Sequence, residues 1–296
     1  MISLVDERRV PAPEGGELSV LDFGGEGPCA LLLHHLGMGP LQWRGVVDAL
    51  GARVHAVAPA LRGHGRTTAP LLSGADNRHD LLTVVDALEL DRPVVVAAGS
   101  LSSAFALAAA IEHPQRFSGV VTINGTLPFT REGAESEMDV VRSPEMVQYM
   151  RDRVGVDTIC PTPEELATHI RAKADAIHQD WLIDESVDLV ADIVGSVRIA
   201  PGGMRTSPDT DTIRVLNDFD TDGFGYPDRE LYRQARVPVH ALHGLECWDE
   251  RGVELEYEFS TINPEVAVHL IEAGQFPMYS HPSEVAKFVL QAMALV

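Results

Sequence analysis

The sequence predicts an α/β fold: a doubly wound, mostly parallel sheet with a helical lid inserted late in the chain. Three observations point there. Short apolar runs alternate with stretches of helical periodicity. Several of those runs are near-continuous Val, Ala and Leu, the pattern of strands buried on both faces of a parallel sheet. Finally, a long segment between Asn124 and Val237 breaks the alternation, as an insertion does.

Taken in order, strands are expected at Leu18–Phe23, Ala30–His34, Val54–Ala58, Val94–Ala98, Gly119–Ile123, Val237–His243 and Val266–Ile271. Helices are expected at Leu41–Leu50, Arg78–Leu88, Ser102–His113 and Ser283–Ala294. The last carries Val285, Phe288, Val289 and Met293 at helical spacing, so one face should pack on the sheet. Within the insertion, Pro144–Arg153, Pro163–His178 and Glu185–Val194 read as helix, and Pro201–Asp211 is rich in Gly, Pro, Ser, Thr and Asp. The expected division is therefore a core over 1–127 and 210–296 and a helical cap over 128–209, lying over the C-terminal edge of the sheet.

Composition narrows the function. A chain of 296 residues with 44 acidic against 23 basic residues has a formal net charge of -21, a field that repels nucleic acid. The acidity reads as a solvated surface. Cys29, Cys160 and Cys247 have neither metal-ligand spacing nor a disulfide framework, which fits a reducing cytoplasm. Met1–Gly16 is charged and rich in Pro and Gly, with no apolar signal segment. The apolar stretch Val94–Ile111 could suggest a membrane span, but Gly99, Ser100, Ser102 and Ser103 interrupt it. A strand, a turn and a buried helix explain it better. No metal constellation and no nucleotide-binding glycine motif appears, so no cofactor is expected. The expected partner is a small molecule, with no membrane and no nucleic acid; a homodimer is left open.

The strongest chemical signal runs from Val94 to Pro114. A strand enters a sharp turn at Ala98-Gly99-Ser100-Leu101-Ser102, and a small-residue helix leaves it. Such a turn exposes the Ser100 hydroxyl at the sheet edge beside the positive end of a helix. Other segments accompany it: Leu31-Leu-Leu-His-His-Leu-Gly-Met-Gly39 with Trp43, Ala56-Val-Ala-Pro-Ala-Leu-Arg-Gly-His-Gly-Arg66, Glu112-His-Pro-Gln-Arg-Phe117, Val237-Pro-Val-His-Ala-Leu-His-Gly244 and Gly274-Gln-Phe-Pro-Met-Tyr-Ser-His-Pro282. In this order and over nearly all of the chain outside the lid, they resemble the α/β-hydrolase fold superfamily.

The resemblance implies a nucleophile elbow at Ser100 and an oxyanion hole from the backbone N–H groups of Leu36 and Leu101. It also exposes departures. Ala60 stands where the family usually has Asp. The general-base histidine position is Gln275, and a carboxamide has no basic lone pair. The acid position is Cys247, flanked by Glu246 and Asp249. The alternative acid position, at Ile123-Asn-Gly125, has no carboxylate either. The triad is degenerate, and triad members act as a unit.

Substitutes are few. His35 replaces the usual Gly of the oxyanion loop and is either a general acid or base or a ring that points away and packs or hydrogen-bonds structurally. His34, His64, His243 and His281 read as structural. Glu246 and Asp249 read as solvated loop carboxylates that could reach the pocket, and Cys247 as a buried thiol. Trp43 and Phe276 read as pocket wall or core, with the core reading leading. The expected function is a divergent enzyme acting on a small, largely apolar carbonyl compound by elimination, cyclisation, isomerisation or rearrangement. Ser100, His35 and Gln275 would orient the substrate and move protons. The alternatives are a slow, rewired hydrolase of an ester, lactone or thioester, with His35 or Glu246 assisting Ser100, and a non-catalytic binding protein.

Overall fold

The computed structural model describes residues 5–125, 127, 130–148, 157–176, 197–205, 208–247 and 252–294; for residues 97, 100, 137, 141, 170, 171, 173–176, 199, 252, 255 and 256 it describes the backbone alone. The core is an eight-stranded sheet in the order β1-β2-β4-β3-β5-β6-β10-β11. Its strands are β1 (Asp6–Pro11), β2 (Glu17–Gly24), β3 (Cys29–Leu33), β4 (His55–Pro59), β5 (Val94–Ala98), β6 (Gly119–Ile123), β10 (Val239–Gly244) and β11 (Val266–Ile271). Pairing is antiparallel for β1–β2 and β2–β4 and parallel from β4 to β11. The mostly parallel, doubly wound expectation holds.

The apolar runs are continuous because both faces of the sheet are covered. Leu31, Leu33, Val57 and Val95 join one buried cluster, while Ala30, Leu32, Ala56, Ala58, Val94 and Val96 join the other. That split follows the two-residue repeat of a strand. Helices α1 (Arg44–Leu50) and α10 (Pro282–Ala292) pack together on one face, and α2 (Asp76–Ala87) and α3 (Ser100–Glu112) on the other. Val285 and Val289 of α10 are buried as their spacing predicts. Gly45 lets the first pair close, since a Cβ there would meet Pro282 Cβ at 3.1 Å.

This arrangement places the site. From β3 the chain crosses to β4 on one side, then returns to β5 on the other side of β3. Connections leaving β3 and β5 therefore diverge, and a crevice opens at their C-terminal ends. The loop after β3 and the turn after β5 meet there.

Two features differ from expectation. The strand β1 was not anticipated, because Asp-Glu-Arg-Arg carries no apolar alternation. It is an exposed edge strand held by Val10, and charge is what protects such an edge. The stretch between β6 and β10 is not purely helical. Alongside α4 (Ala134–Val141), α5 (Pro163–Ala176) and α6 (Thr210–Leu216), it holds a small antiparallel sheet of β7 (Ile159–Cys160), β9 (Gly203–Arg205) and β8 (Arg198–Ala200). Gly203 permits the hairpin, with φ of +149° and Cys160 O only 2.3 Å from where a Cβ would sit. The expected helix at Glu185–Val194 lies outside the described residues. Val94–Ile111 is β5, the turn and α3, and among the described residues no helix is long and apolar enough to cross a membrane.

Candidate active site

Ser100 begins α3 directly after Gly99, whose φ of +81° and ψ of 169° make the sharp turn. Gly99 N–H donates to Ile123 O at 2.9 Å, and Gly99 O accepts from Ser103 N–H at 3.0 Å. Glycine is required here twice over. The backbone is left-handed, and a Cβ would stand 2.3 Å from His35 Cδ2 and 2.8 Å from His35 Nε2. The His35 imidazole therefore lies against the elbow itself, with its Cδ2–Nε2 edge on the residue before Ser100.

His35 is held from several sides. Its N–H donates to Gln42 Oε1 at 3.1 Å, and its Nδ1 lies 2.7 Å from Leu36 O. A carbonyl only accepts, so Nδ1 carries the hydrogen and the neutral ring keeps its lone pair on Nε2. Phe276 packs edge-on against the ring at 4.8 Å. The ring thus lies against the elbow and is at the same time packed and hydrogen-bonded within its own loop.

Two buried histidines support the loop. His34 Nε2 accepts from Leu61 N–H at 3.0 Å and His34 Nδ1 donates to His35 O at 2.9 Å. His64 Nε2 accepts from Gly37 N–H at 3.1 Å, and its Nδ1 donates to Arg62 O. Ser102 Oγ donates to His34 O at 2.7 Å, tying α3 to the same loop. The carbonyls of residues 34, 35 and 36 are thus all taken by donors. Leu101 N–H sits in the first turn of α3, where no intrahelical acceptor exists. Among the described residues none accepts from Leu36 N–H.

Both supports work only as neutral rings. Burial pushes His34 down to about 4 and, with the neighbouring His34, pushes His64 well below the usual imidazole value. In an unfolded chain both titrate near ~6.5. Below that value the unfolded chain gains protons that the folded chain refuses, so stability is complete above it and falls as pH drops towards 4. We expect about 2 kcal/mol to be lost through His34 between pH ~8 and ~5. Urea denaturation at the two pH values checks this. The advantage of the wild type over His34→Gln should shrink at the lower pH, and an advantage that stays constant would contradict the assignment.

The other expected site residues divide. Gln275 is buried at the loop after β11, beside the Phe276 that packs on His35. Cys247 is half-buried, its Sγ 3.2 Å from Nε2 of the buried His243, so the acid position holds a thiol–imidazole contact. Glu246 is exposed, as a solvated loop carboxylate is. Asp249 lies outside the described residues. Trp43 and Phe276 are both buried in the same core cluster, with Leu41 and Val46, which agrees with the core reading of the two. Among the described residues no cluster of three or more His, Cys, Asp or Glu could hold a metal.

One organising residue escaped sequence reasoning. Asn124, at the end of β6, has φ of +48° and is buried. Its Oδ1 accepts from Gly244 N–H at 2.7 Å, and its Nδ2 donates to Gln275 O at 2.9 Å and to Gly274 O at 3.2 Å. It clips three strand ends together with an amide where a carboxylate could have stood. The signal for it was Asn-Gly at a strand terminus, a pair suited to positive φ.

The sequence pattern described as "alpha/beta hydrolase fold" matches residues 30–243. The chain is 31% identical over 107 residues to an uncharacterized protein of Mycobacterium bovis, covering 34% of this chain and 30% of that protein. It is 31% identical over 136 residues to an epoxide hydrolase of Caballeronia sordidicola, covering 44% of this chain and 40% of that enzyme. The matched segment thus spans well under half the length of these relatives. Among solved structures, E-2-(acetamidomethylene)succinate hydrolase superposes with a TM-score of 0.75 at 17% identity, covering 98% of this chain and 99% of that one.

Proposed function

Given that this chain belongs to the alpha/beta hydrolase fold family, we propose that it is a rewired serine hydrolase, slow by the standard of an intact triad, acting on an ester, thioester or lactone. His35 takes the place of the missing base. The observation that carries this reading is the His35 imidazole seated on the elbow in the tautomer whose lone pair is on Nε2.

The chemistry follows. The Ser100 oxygen attacks the substrate carbonyl while its proton passes to His35 Nε2. The oxyanion is received by the N–H groups of Leu36, in the loop after β3, and of Leu101, in the first turn of α3. Collapse expels the alcohol or thiol, which takes the proton back from His35, and water repeats the cycle to release the acid. The imidazolium formed on the way is oriented by Leu36 O rather than by a carboxylate. A neutral carbonyl orients as well as a carboxylate but stabilises the cation less, so the turnover is slow.

A second reading has its own support. The same neutral partner on Nδ1, with Gln275 at the usual base position, suits proton transfer without an acyl-enzyme, as in elimination or isomerisation of a carbonyl compound. A fluorophosphonate separates the two. We expect a mass increase on the tryptic peptide bearing Ser100, abolished by Ser100→Ala and slowed by His35→Gln. Turnover of a carbonyl substrate with no labelling at any concentration favours the second reading.

A further inference from the structure

The contact between Cys247 and His243 takes no part in the elbow chemistry, yet it sets a nucleophile and a base within hydrogen-bond reach. His243 is the last residue but one of β10 and is fully buried. Four residues on, Cys247 brings its Sγ to 3.2 Å from His243 Nε2. Main-chain bonds hold the turn between them. Cys247 N–H donates to Gly244 O at 3.1 Å, Leu245 N–H to Ile271 O at 3.0 Å and Glu246 N–H to Ala273 O at 3.1 Å. Gly244 N–H is itself taken by Asn124 Oδ1 at 2.7 Å. The sulfur and the ring are therefore fixed against each other by the backbone rather than by their own weak contact.

The three thiols of the chain differ in their surroundings. Cys29 begins β3 and is buried; burial, with the Asp22 charge, pushes its thiol up to about 12. Burial and the Glu165 charge push the Cys160 thiol up as well. A proton held in this way quiets both sulfurs, because the thiolate is the nucleophile. Cys247 lies half-buried on a turn whose Leu245 and Glu246 are exposed, with an imidazole nitrogen at its sulfur. That contact spans the two ends of one proton transfer: a thiol donates to the Nε2 lone pair, or an imidazolium N–H donates to a thiolate. The proton leaves the sulfur without leaving the pair. A hydroxyl or an amide at residue 247 would satisfy a buried imidazole better than a weakly hydrogen-bonding thiol does; what sulfur adds is reactivity.

We infer that Cys247, with His243 as its base, is a second nucleophilic centre and a site of covalent modification, which hydroperoxides oxidise to a sulfenic acid. The sulfur electron pair attacks the terminal peroxide oxygen. An S–O bond forms and the O–O bond breaks, so sulfur is oxidised by two electrons and the peroxide is reduced. The thiol proton passes to His243 Nε2 and from there to the departing oxygen, which leaves as alcohol, or as water where the oxidant is hydrogen peroxide. A small thiol reverses the change through a mixed disulfide. Neither residue enters the proposed step between Ser100 and His35, so the inference stands apart from the hydrolase reading.

The test has two arms. In the first, the whole chain is treated with hydrogen peroxide in the presence of dimedone, which traps sulfenic acids, and the tryptic peptides are read by mass. Arginines lie between the cysteines, so each falls in its own peptide. Dimedone should add to the Cys247 peptide at least about tenfold faster than to the Cys29 and Cys160 peptides, and the adduct should vanish in Cys247→Ser. In the second arm, iodoacetamide measures nucleophilicity without oxidation. At neutral pH, Cys247 of the wild type should react at least about threefold faster than glutathione, and His243→Gln should slow it at least about fivefold. A half-buried sulfur without a base is slower than a thiol in solution, so exposure alone does not imitate this result. Falling short of any of these margins overturns the proposal. If His243→Gln does not fold, the buried Cys29 becomes labelled, and the comparison of the wild type with glutathione then decides in its place.

Discussion

Replacing His35 by glutamine will lower kcat on a para-nitrophenyl ester by about a hundredfold to ten-thousandfold, the usual contribution of a positioned general base. Glutamine keeps a donor and an acceptor at similar reach but removes the basic nitrogen. Packing against Phe276 and the elbow is largely conserved, so KM should move only a few-fold. If His35 and Ser100 act as one unit, the double variant His35→Gln with Ser100→Ala will be no slower than Ser100→Ala alone. Steady-state kinetics on the purified variants measures both. His35→Gln with activity within threefold of the wild type would show that the ring on Gly99 is only packing. Gly99 is the reason to expect more, because the elbow leaves no room for a side chain where this imidazole lies.

Arg62→Ala will destabilise the fold by about 3–5 kcal/mol, the cost of leaving one member of a buried ion pair alone. The Arg62 side chain is almost wholly inaccessible. It holds Asp80 through two bonds of 2.8 and 2.7 Å, and also Glu14 and the Pro70 carbonyl at 2.7 Å each. Burial already pushes the Asp80 carboxyl up, against the pull of Arg62. Without the guanidinium, that carboxyl must take a proton or break open the turn. Urea unfolding measures the loss. Arg62→Met combined with Asp80→Leu should be less destabilised than Arg62→Ala, since it leaves no buried charge unpaired. A loss below about 1 kcal/mol in Arg62→Ala would mean that the turn does not depend on the pair. The consequence reaches the site, because the same turn carries His64, which holds Gly37 of the loop after β3.

How far sequence reasoning could see follows from the range of each interaction. Residue order alone determined the buried strands, the elbow at Gly99-Ser100, the order of the loops around it and the carboxamide at Gln275. The strands and the elbow are written in local periodicity and in a turn that needs particular residues, whereas the order of the loops and the meaning of Gln275 come from the resemblance to the family. The edge strand β1 and the two- and three-residue strands of the cap were not legible, because short or exposed strands have too few buried positions to leave a pattern. Only the tertiary structure decided the rest: that the imidazole of residue 35 rests on residue 99, that Asn124 joins Gly244 to Gln275, and that Arg198 comes to the 65–68 turn. These contacts join positions far apart in the chain. They exist because β3 and β5 are neighbours with diverging connections, and no local stretch of sequence encodes where another will be packed.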